Sequence, residues 1–337
     1  MTSPTADRTD GVGRAAGTIA GWTLFSRVFG LARDLITARL FGDTALGSAF
    51  MAAFIVPNVF RRLFGEGALS AAFLPVYTRS LSSNDPAAPG RVASGVFVAL
   101  AIVTGSILII AEVVLLVLLL VLDESPERDL SLRLIAITLP FMPAVCASAV
   151  LGGVLHAHGR FVPSAAAPVL LNLLLIAAAL PALLLPAESA PTAETTAYMM
   201  AAAAVVAGAL QVMWALVALR GRVVWTRQFA GAKAEQKEVL KRFGPVALGM
   251  GTLQLNTLVD TFIAMVPIWI GPVVFGLTYP LDEASNGILG FTQRLYQFPL
   301  GVFGIAVATA AFPALARWAV ADQTTRFVQT LRAALRL

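Results

Sequence analysis

The 337-residue chain is 58% hydrophobic and only 13% charged, with a mean hydropathy of +0.81, where an ordinary soluble domain carries about 25% charged residues. This composition excludes a disordered chain, a collagen and a disulfide scaffold, and it sets a soluble enzyme aside, because apolar content spread along the whole chain needs lipid as its solvent. The single cysteine, Cys146, excludes an intramolecular disulfide, and the net charge of +5 has to be located before it points to any partner.

A membrane-crossing helix takes about 20 mostly apolar residues. In chain order the sequence offers eight such spans, at 15–40, 46–78, 92–122, 131–156, 162–185, 196–219, 244–270 and 285–316. They predict an all-α, polytopic membrane helix bundle. Span one carries Arg27, Arg33 and Asp34, and span two carries Arg61, Arg62 and Glu66. Span three is the plainest, with Glu112 its one acid, while span seven holds Asp260 and span eight Arg294. No cleavable signal peptide is expected, because the first ten residues are polar and the apolar stretch that follows contains Arg27 and Arg33.

Orientation follows from the loops. With the N-terminus cytoplasmic, the inside segments hold sixteen of the 24 basic residues, including Arg79, Arg91, Arg160, Arg220, Arg222, Lys233, Lys237, Lys241 and Arg242. The outside segments then collect Asp43, Asp123, Glu124, Glu127, Asp129, Glu188, Glu194, Asp282 and Glu283. The Lys/Arg bias selects this orientation and returns the C-terminus inside. It also explains the basic balance without nucleic acid, and it makes anionic membrane lipids the expected partner of the 221–243 loop, helical around Lys233–Lys241.

Five arginines remain where lipid should be: Arg27, Arg33, Arg61, Arg62 and Arg294. An Arg at the bilayer centre costs roughly 2.5–3.5 kcal/mol on insertion scales. Arg62 and Glu66 are spaced i,i+4 and can pair. Arg27 and Asp34 are seven apart, on nearly one face but separated along the axis. Two acids against five bases leave a positive surplus, and a planar guanidinium fork suits phosphate. Glycine and proline punctuate the same spans at Gly30, Gly42, Pro57, Gly65 and Gly67, then at Pro299, Gly301 and Gly304. They predict helices that bend or break, with Gly30 allowing a bend that turns Arg27 and Arg33 inward.

Two short stretches, of ten and nine residues, echo one another. Ser70–Arg79 at the end of span two and Thr309–Arg317 at the end of span eight share a small-small-Phe-Pro-Arg order. The echo predicts a parallel repeat: a cytoplasmic tail (1–14), a six-span lobe (15–220), a basic cytoplasmic loop (221–243), spans seven and eight beginning a second lobe (244–316), and a basic cytoplasmic segment (317–337). No Walker loop, His-Glu-x-x-His, Cys pair or nucleophile elbow is present, so neither an enzyme, a cofactor nor a metal is expected. His156 and His158 do not share a helix face. Glu112 and Asp260 are ion- or proton-site candidates as intramembrane acids, and Asn172 and Asn256 can serve as interhelical hydrogen-bond partners or as ligands.

Ser26–Asp34 (SRVFGLARD), Ala38–Gly42 (ARLFG) and Pro57–Pro75 (PNVFRRLFGEGALSAAFLP) closely resemble the MurJ/MviN family of lipid II flippases, within the multidrug/oligosaccharidyl-lipid/polysaccharide exporter superfamily. Arg294–Gly304 (RLYQFPLGVFG) and Phe312-Pro313 resemble the family's eighth span. The resemblance implies a multi-pass transporter of the bacterial inner membrane that moves the undecaprenyl-pyrophosphate-linked peptidoglycan precursor outward by alternating access. It implies that Arg27, Arg33, Arg61 and Arg294, with Arg62 adjacent, line a cationic cavity, supported by Ser26, Asp34, Asn58 and Glu66. Other cell-wall synthesis proteins are further partners on this reading. Two positions depart from the family pattern: Ser48 stands where several relatives are acidic, and Gln293 precedes Arg294 where Asp is common. The family usually has fourteen spans and this chain stops after the eighth, so the resemblance implies either a fragment or a short form that depends on another polypeptide. The competing expectations are a cation-coupled drug exporter of the same superfamily and a non-transporting scaffold in cell-wall synthesis.

Overall fold

The computed structural model describes residues 4–65, 68–299, 305–321 and 323–335. Glu66, Gly67, Gly301 and Gly304 lie outside them. The chain divides into two compact units, Met1–Ile288 and Leu289–Leu337.

The first unit is a helical membrane bundle. Helix α1 (Pro4–Phe41) runs without a break and ends at Gly42, whose φ of +54° suits the residue that stops a helix. Thr44 then caps α2 (Ala45–Ala53) by accepting the Gly47 N–H at 3.2 Å. Gly47 is required at this corner, because a Cβ there would fall 2.6 Å from the Gly42 carbonyl oxygen. The predicted second span is three helices: α2, α3 (Ile55–Gly65) and α4 (Ala68–Leu81). The first break falls at Phe54, three residues before Pro57, which cannot donate to the carbonyl of Ala53.

Next come α5 (Ala88–Val121), α6 (Pro126–Thr138), α7 (Phe141–Ala157), α8 (Val162–Leu184) and α9 (Ala193–Ala218). Four segments are long and apolar enough to cross a membrane: Ala88–Val121, Pro126–Ala157, Val162–Leu184 and Ala193–Ala218. Along α5 the side chains of Ile102, Ile109, Ile110, Val113, Leu116 and Leu120 are exposed, as lipid-facing residues would be. After a 3₁₀ turn at Phe229–Ala232, α10 (Lys233–Trp269) continues as one helix. The expected basic loop and seventh span are therefore joined without a break, and the change at residue 244 is one of composition, not of backbone. A two-stranded hairpin, β1 (Val273–Val274) with β2 (Leu277–Thr278), is the one departure from all-α structure among the described residues. Helix α11 (Ser285–Pro299) follows and passes into the second unit.

Polar side chains tie the bundle together, as expected where lipid gives helices no hydrophobic reason to associate. Gln211 donates to the Ala167 carbonyl at 2.8 Å, joining α9 to α8, and Trp269 Nε1 donates to Ser131 Oγ at 3.1 Å, joining α10 to α6. The buried core gathers Tyr77, Phe73, Phe141, Cys146, Leu151, Leu155 and Met200 from α4, α7 and α9. In the second unit, α12 (Ile305–Val320) packs against α13 (Thr324–Leu335). The guanidiniums of Arg326 and Arg317 lie 5.0 and 5.9 Å from the Trp318 ring centre.

Candidate functional site

The site is best built from α1 outward. Helix α1 stays helical through Gly30. At Gly30 the neighbouring α8 comes to contact distance: a Cβ there would lie 3.4 Å from Asn172 Nδ2. That amide donates to the Ser26 carbonyl at 3.1 Å.

The other end of the same amide holds Arg33. Asn172 Oδ1 accepts from Arg33 Nη1 at 2.9 Å, while Asp34 Oδ1 accepts from Arg33 Nε at 3.0 Å and from Nη2 at 2.5 Å. The two side chains of the ion pair are 18% and 13% exposed, so the pair is partly screened. A guanidinium has five N–H donors. Three are engaged here, which leaves one on each terminal nitrogen for a ligand. Asp34 pairs with Arg33, its immediate neighbour. Arg27 and Arg62 have no hydrogen bond or ion pair among the described residues, and both are half-buried. Sequence reasoning placed Asn172 among general interhelical partners. Its bond to Arg33 spans 139 positions, and nothing local signals it.

Arg61 and Arg62 lie on α3, which packs against α7 and α4, whereas α1 packs chiefly against α8. Arg61 Nε reaches toward Asn58 Oδ1 at a long 3.5 Å. The Arg62–Glu66 pair falls outside the described residues at Glu66. Arg294 is a half-buried residue of α11 in the second unit. Asp260 accepts a hydrogen bond from Asn256 Nδ2 at 3.1 Å, one helical turn away, and Glu112 is half-buried on α5. Among the described residues, no three His, Cys, Asp or Glu side chains come together as a metal site.

Ser48 is fully buried. Its Oγ accepts the Gly287 N–H at 2.9 Å, and its carbonyl accepts from Asn286 Nδ2 at 2.9 Å. The serine therefore seals a contact between α2 and the first turn of α11. Gly287 approaches so closely that a Cβ there would lie 3.1 Å from Ser48 N.

At the end of the bundle expected to be cytoplasmic, charge and hydrogen bonding fasten α4 to its neighbours. Arg79 donates from both terminal nitrogens to the Glu238 carboxylate at 3.1 Å, and Arg242 donates to the same group at 2.7 Å. These bonds, Arg79's foremost, hold the Glu238 carboxyl below the usual carboxylate range. The two histidines face different partners. His156 Nε2 meets Ser164 Oγ at 2.7 Å and His158 Nε2 meets the Tyr77 hydroxyl at 3.0 Å. Burial, and then the Arg222 charge, lower the pKa of His158 from its ordinary value.

The model of the family described as "Lipid II flippase MurJ" matches residues 37–337. A probable lipid II flippase MurJ from Rhizobium tropici is 32% identical over 308 residues, which cover 89% of this chain and 54% of the relative. The corresponding Vibrio cholerae protein is 30% identical over 334 residues, covering 95% of this chain and 59% of the relative. The chain thus spans somewhat over half the length of these curated relatives. A solved structure, "Lipid II flippase MurJ, inward closed conformation", is similar with a TM-score of 0.71 at 21% identity, over 94% of this chain and 61% of that one. An inward-facing multidrug resistance transporter of the MATE family and MOP superfamily gives a TM-score of 0.59 at 16% identity, over 95% and 66%. Both likenesses concern the fold.

Proposed function

The chain belongs to the lipid II flippase MurJ family, and from that premise we propose that it carries a lipid-linked peptidoglycan precursor from the inner to the outer leaflet of the bacterial inner membrane. The N-terminus is cytoplasmic on this reading, and transport proceeds by alternating access. Arg27, Arg33, Arg61 and Arg62 engage the pyrophosphate. Arg294 joins them on the strength of the family motif, which also assigns the supporting roles of Ser26, Asn58 and Glu66. The domain plan is the sequence's: spans one to six as one lobe and spans seven and eight as the start of a second. Asp260, with Asn256, is the candidate for an ion that couples to transport.

The observation that carries the reading is the fixed guanidinium of Arg33. Asp34 and Asn172 hold it in one orientation and leave two donors open, an arrangement suited to two oxygens of a phosphate. Pre-orientation matters because less side-chain freedom is lost when the anion binds.

Energetically, a membrane negative inside favours outward movement of an anion. About two charges crossing ~100 mV gain about 4–5 kcal/mol, enough to bias the cycle without nucleotide hydrolysis. The test is export of labelled precursor in cells producing Arg27→Ala, Arg61→Ala or Arg294→Ala. A loss in each is expected; unchanged export in all three refutes the cationic site.

A further inference from the structure

We propose that the groove between α7 and α9 is a binding site for one anionic diacyl phospholipid of the inner leaflet. The groove is open along its length, with a volume of about 490 Å³. Its walls are apolar: Ala144 and Ala147 on α7, and Ala209, Met213 and Leu216 on α9, with Arg220 as its one charged residue.

Packing explains its position. The two helices touch closely at Gly208, where a Cβ would fall 2.8 Å from Phe141 and 2.9 Å from Ala144 Cβ. Every α9 residue that lines the groove lies beyond this point. They recur at helical spacing along one face and end at Arg220. The three alanines leave depth where larger residues would fill it, and Ala209, Met213 and Leu216 are exposed, as walls open to lipid.

Length and charge identify the occupant. Ala209 to Arg220 is eleven residue steps, about 16 Å at helical rise, close to half of the ~30 Å hydrocarbon core. The groove therefore spans one leaflet, with the arginine at headgroup depth. Arg160 Nη1 donates to the Ala218 carbonyl at 3.3 Å, so a second guanidinium stands at the same helix end. No Asp or Glu occurs between Glu194 and Glu235, or between Asp129 and Glu188. Arg220 in the lining, with Arg160 bonded at the same helix end, matches a phosphate headgroup above an acyl chain. The leaflet rests on the orientation proposed above; the lipid class rests on the groove itself.

The experiment uses the purified 337-residue chain in micelles, doped with equal phosphatidylglycerol and phosphatidylethanolamine, and counts retained lipids by native mass spectrometry. One phosphatidylglycerol per chain is expected, preferred over phosphatidylethanolamine by about fivefold, the effect of one basic residue at an anionic surface. Arg220→Gln should remove the preference and Arg220→Lys should keep most of it. Ala209→Phe, on an exposed position, should fill the slot and remove retention while helical content is unchanged; Ala147→Phe is the second filler. Equal retention of both lipids by the unaltered chain overturns the proposal. So does phosphatidylglycerol retention untouched by either filler, which would reduce the effect to surface charge. Retention is read without precursor transport, so a chain inactive in export that still holds the lipid fails only the transport reading.

Discussion

Replacing Asn172 tests whether the α1–α8 contact truly fixes Arg33. The residue is 5% exposed and makes two bonds across the helix pair, one from Arg33 and one to the Ser26 carbonyl. Interhelical side-chain bonds in membranes average about 0.6 kcal/mol and reach about 1.7, and a bond to a charged group sits toward the upper end. Assigning about 1 kcal/mol to the Arg33 bond and about 0.6 to the Ser26 bond, Asn172→Ala should cost roughly 2 kcal/mol once lost packing at Gly30 is included. Equilibrium unfolding in mixed micelles, followed by far-UV circular dichroism, measures it. A double-mutant cycle with Arg33→Met isolates the pair, because the loss of the Arg33–Asp34 contact is common to both Met backgrounds and cancels. The coupling should be about 1 kcal/mol, above the ~0.3–0.5 kcal/mol within which distant sites simply add. Additivity within that margin would refute the claim that Asn172 holds the guanidinium. Asn172→Asp adds an internal control: it keeps an acceptor for Arg33 and loses the donor to Ser26.

Ser48→Ala leaves the Gly287 N–H without its acceptor in a buried contact, so it should destabilise the chain by about 1–3 kcal/mol in the same unfolding measurement. Ser48→Thr, which keeps the hydroxyl, should cost less. Gly90→Ala places a Cβ 2.1 Å from the Val224 carbonyl oxygen, backbone that cannot rotate away, and should increase proteolysis of the 220–232 segment. The lowered pKa of Glu238 fixes a pH effect outside the membrane. A carboxyl whose folded pKa is depressed contributes stability above its unfolded value near 4.5 and loses it as pH falls through the folded value. Hydrogen exchange along 233–240 should therefore be flat from pH 8 to 6, after correction for intrinsic rates, and quicken only below the ordinary glutamate range; Glu238→Gln should remove that acid-side change.

The sequence displays the spans wherever lipid alone decides them. The predicted 162–185 and 196–219 appear as Val162–Leu184 and Ala193–Ala218, because an apolar window reports its solvent directly. Breaks were less legible. Pro57 accompanies a real interruption at Phe54, yet Pro75, Pro168, Pro181, Pro245 and Pro267 sit inside helices that continue through them. A missing N–H leaves open whether the chain bends or breaks; the surroundings of the freed carbonyl decide, and those are tertiary. Gly30 shows the same limit from the other side, since an absent side chain can serve a bend or a close neighbour, and only the structure brings Asn172 beside it.

The arginine site was legible as a count of charges and illegible as geometry. Five cations and two acids can be read from the chain, but a pairing seen among the described residues joins adjacent ones, Arg33 and Asp34, which point about 100° apart on a helix and meet because the arginine side chain is long enough to fold back. Asn172 then receives the same guanidinium from another helix. This changes how the positive surplus is understood. Asp34 neutralises a charge and also aims it, so removing the acid should cost orientation as well as add charge. Asp34→Asn can still accept from Arg33 while carrying no charge, and it should therefore harm precursor export less than Asp34→Ala does; equal loss from the two would mean that only the charge matters.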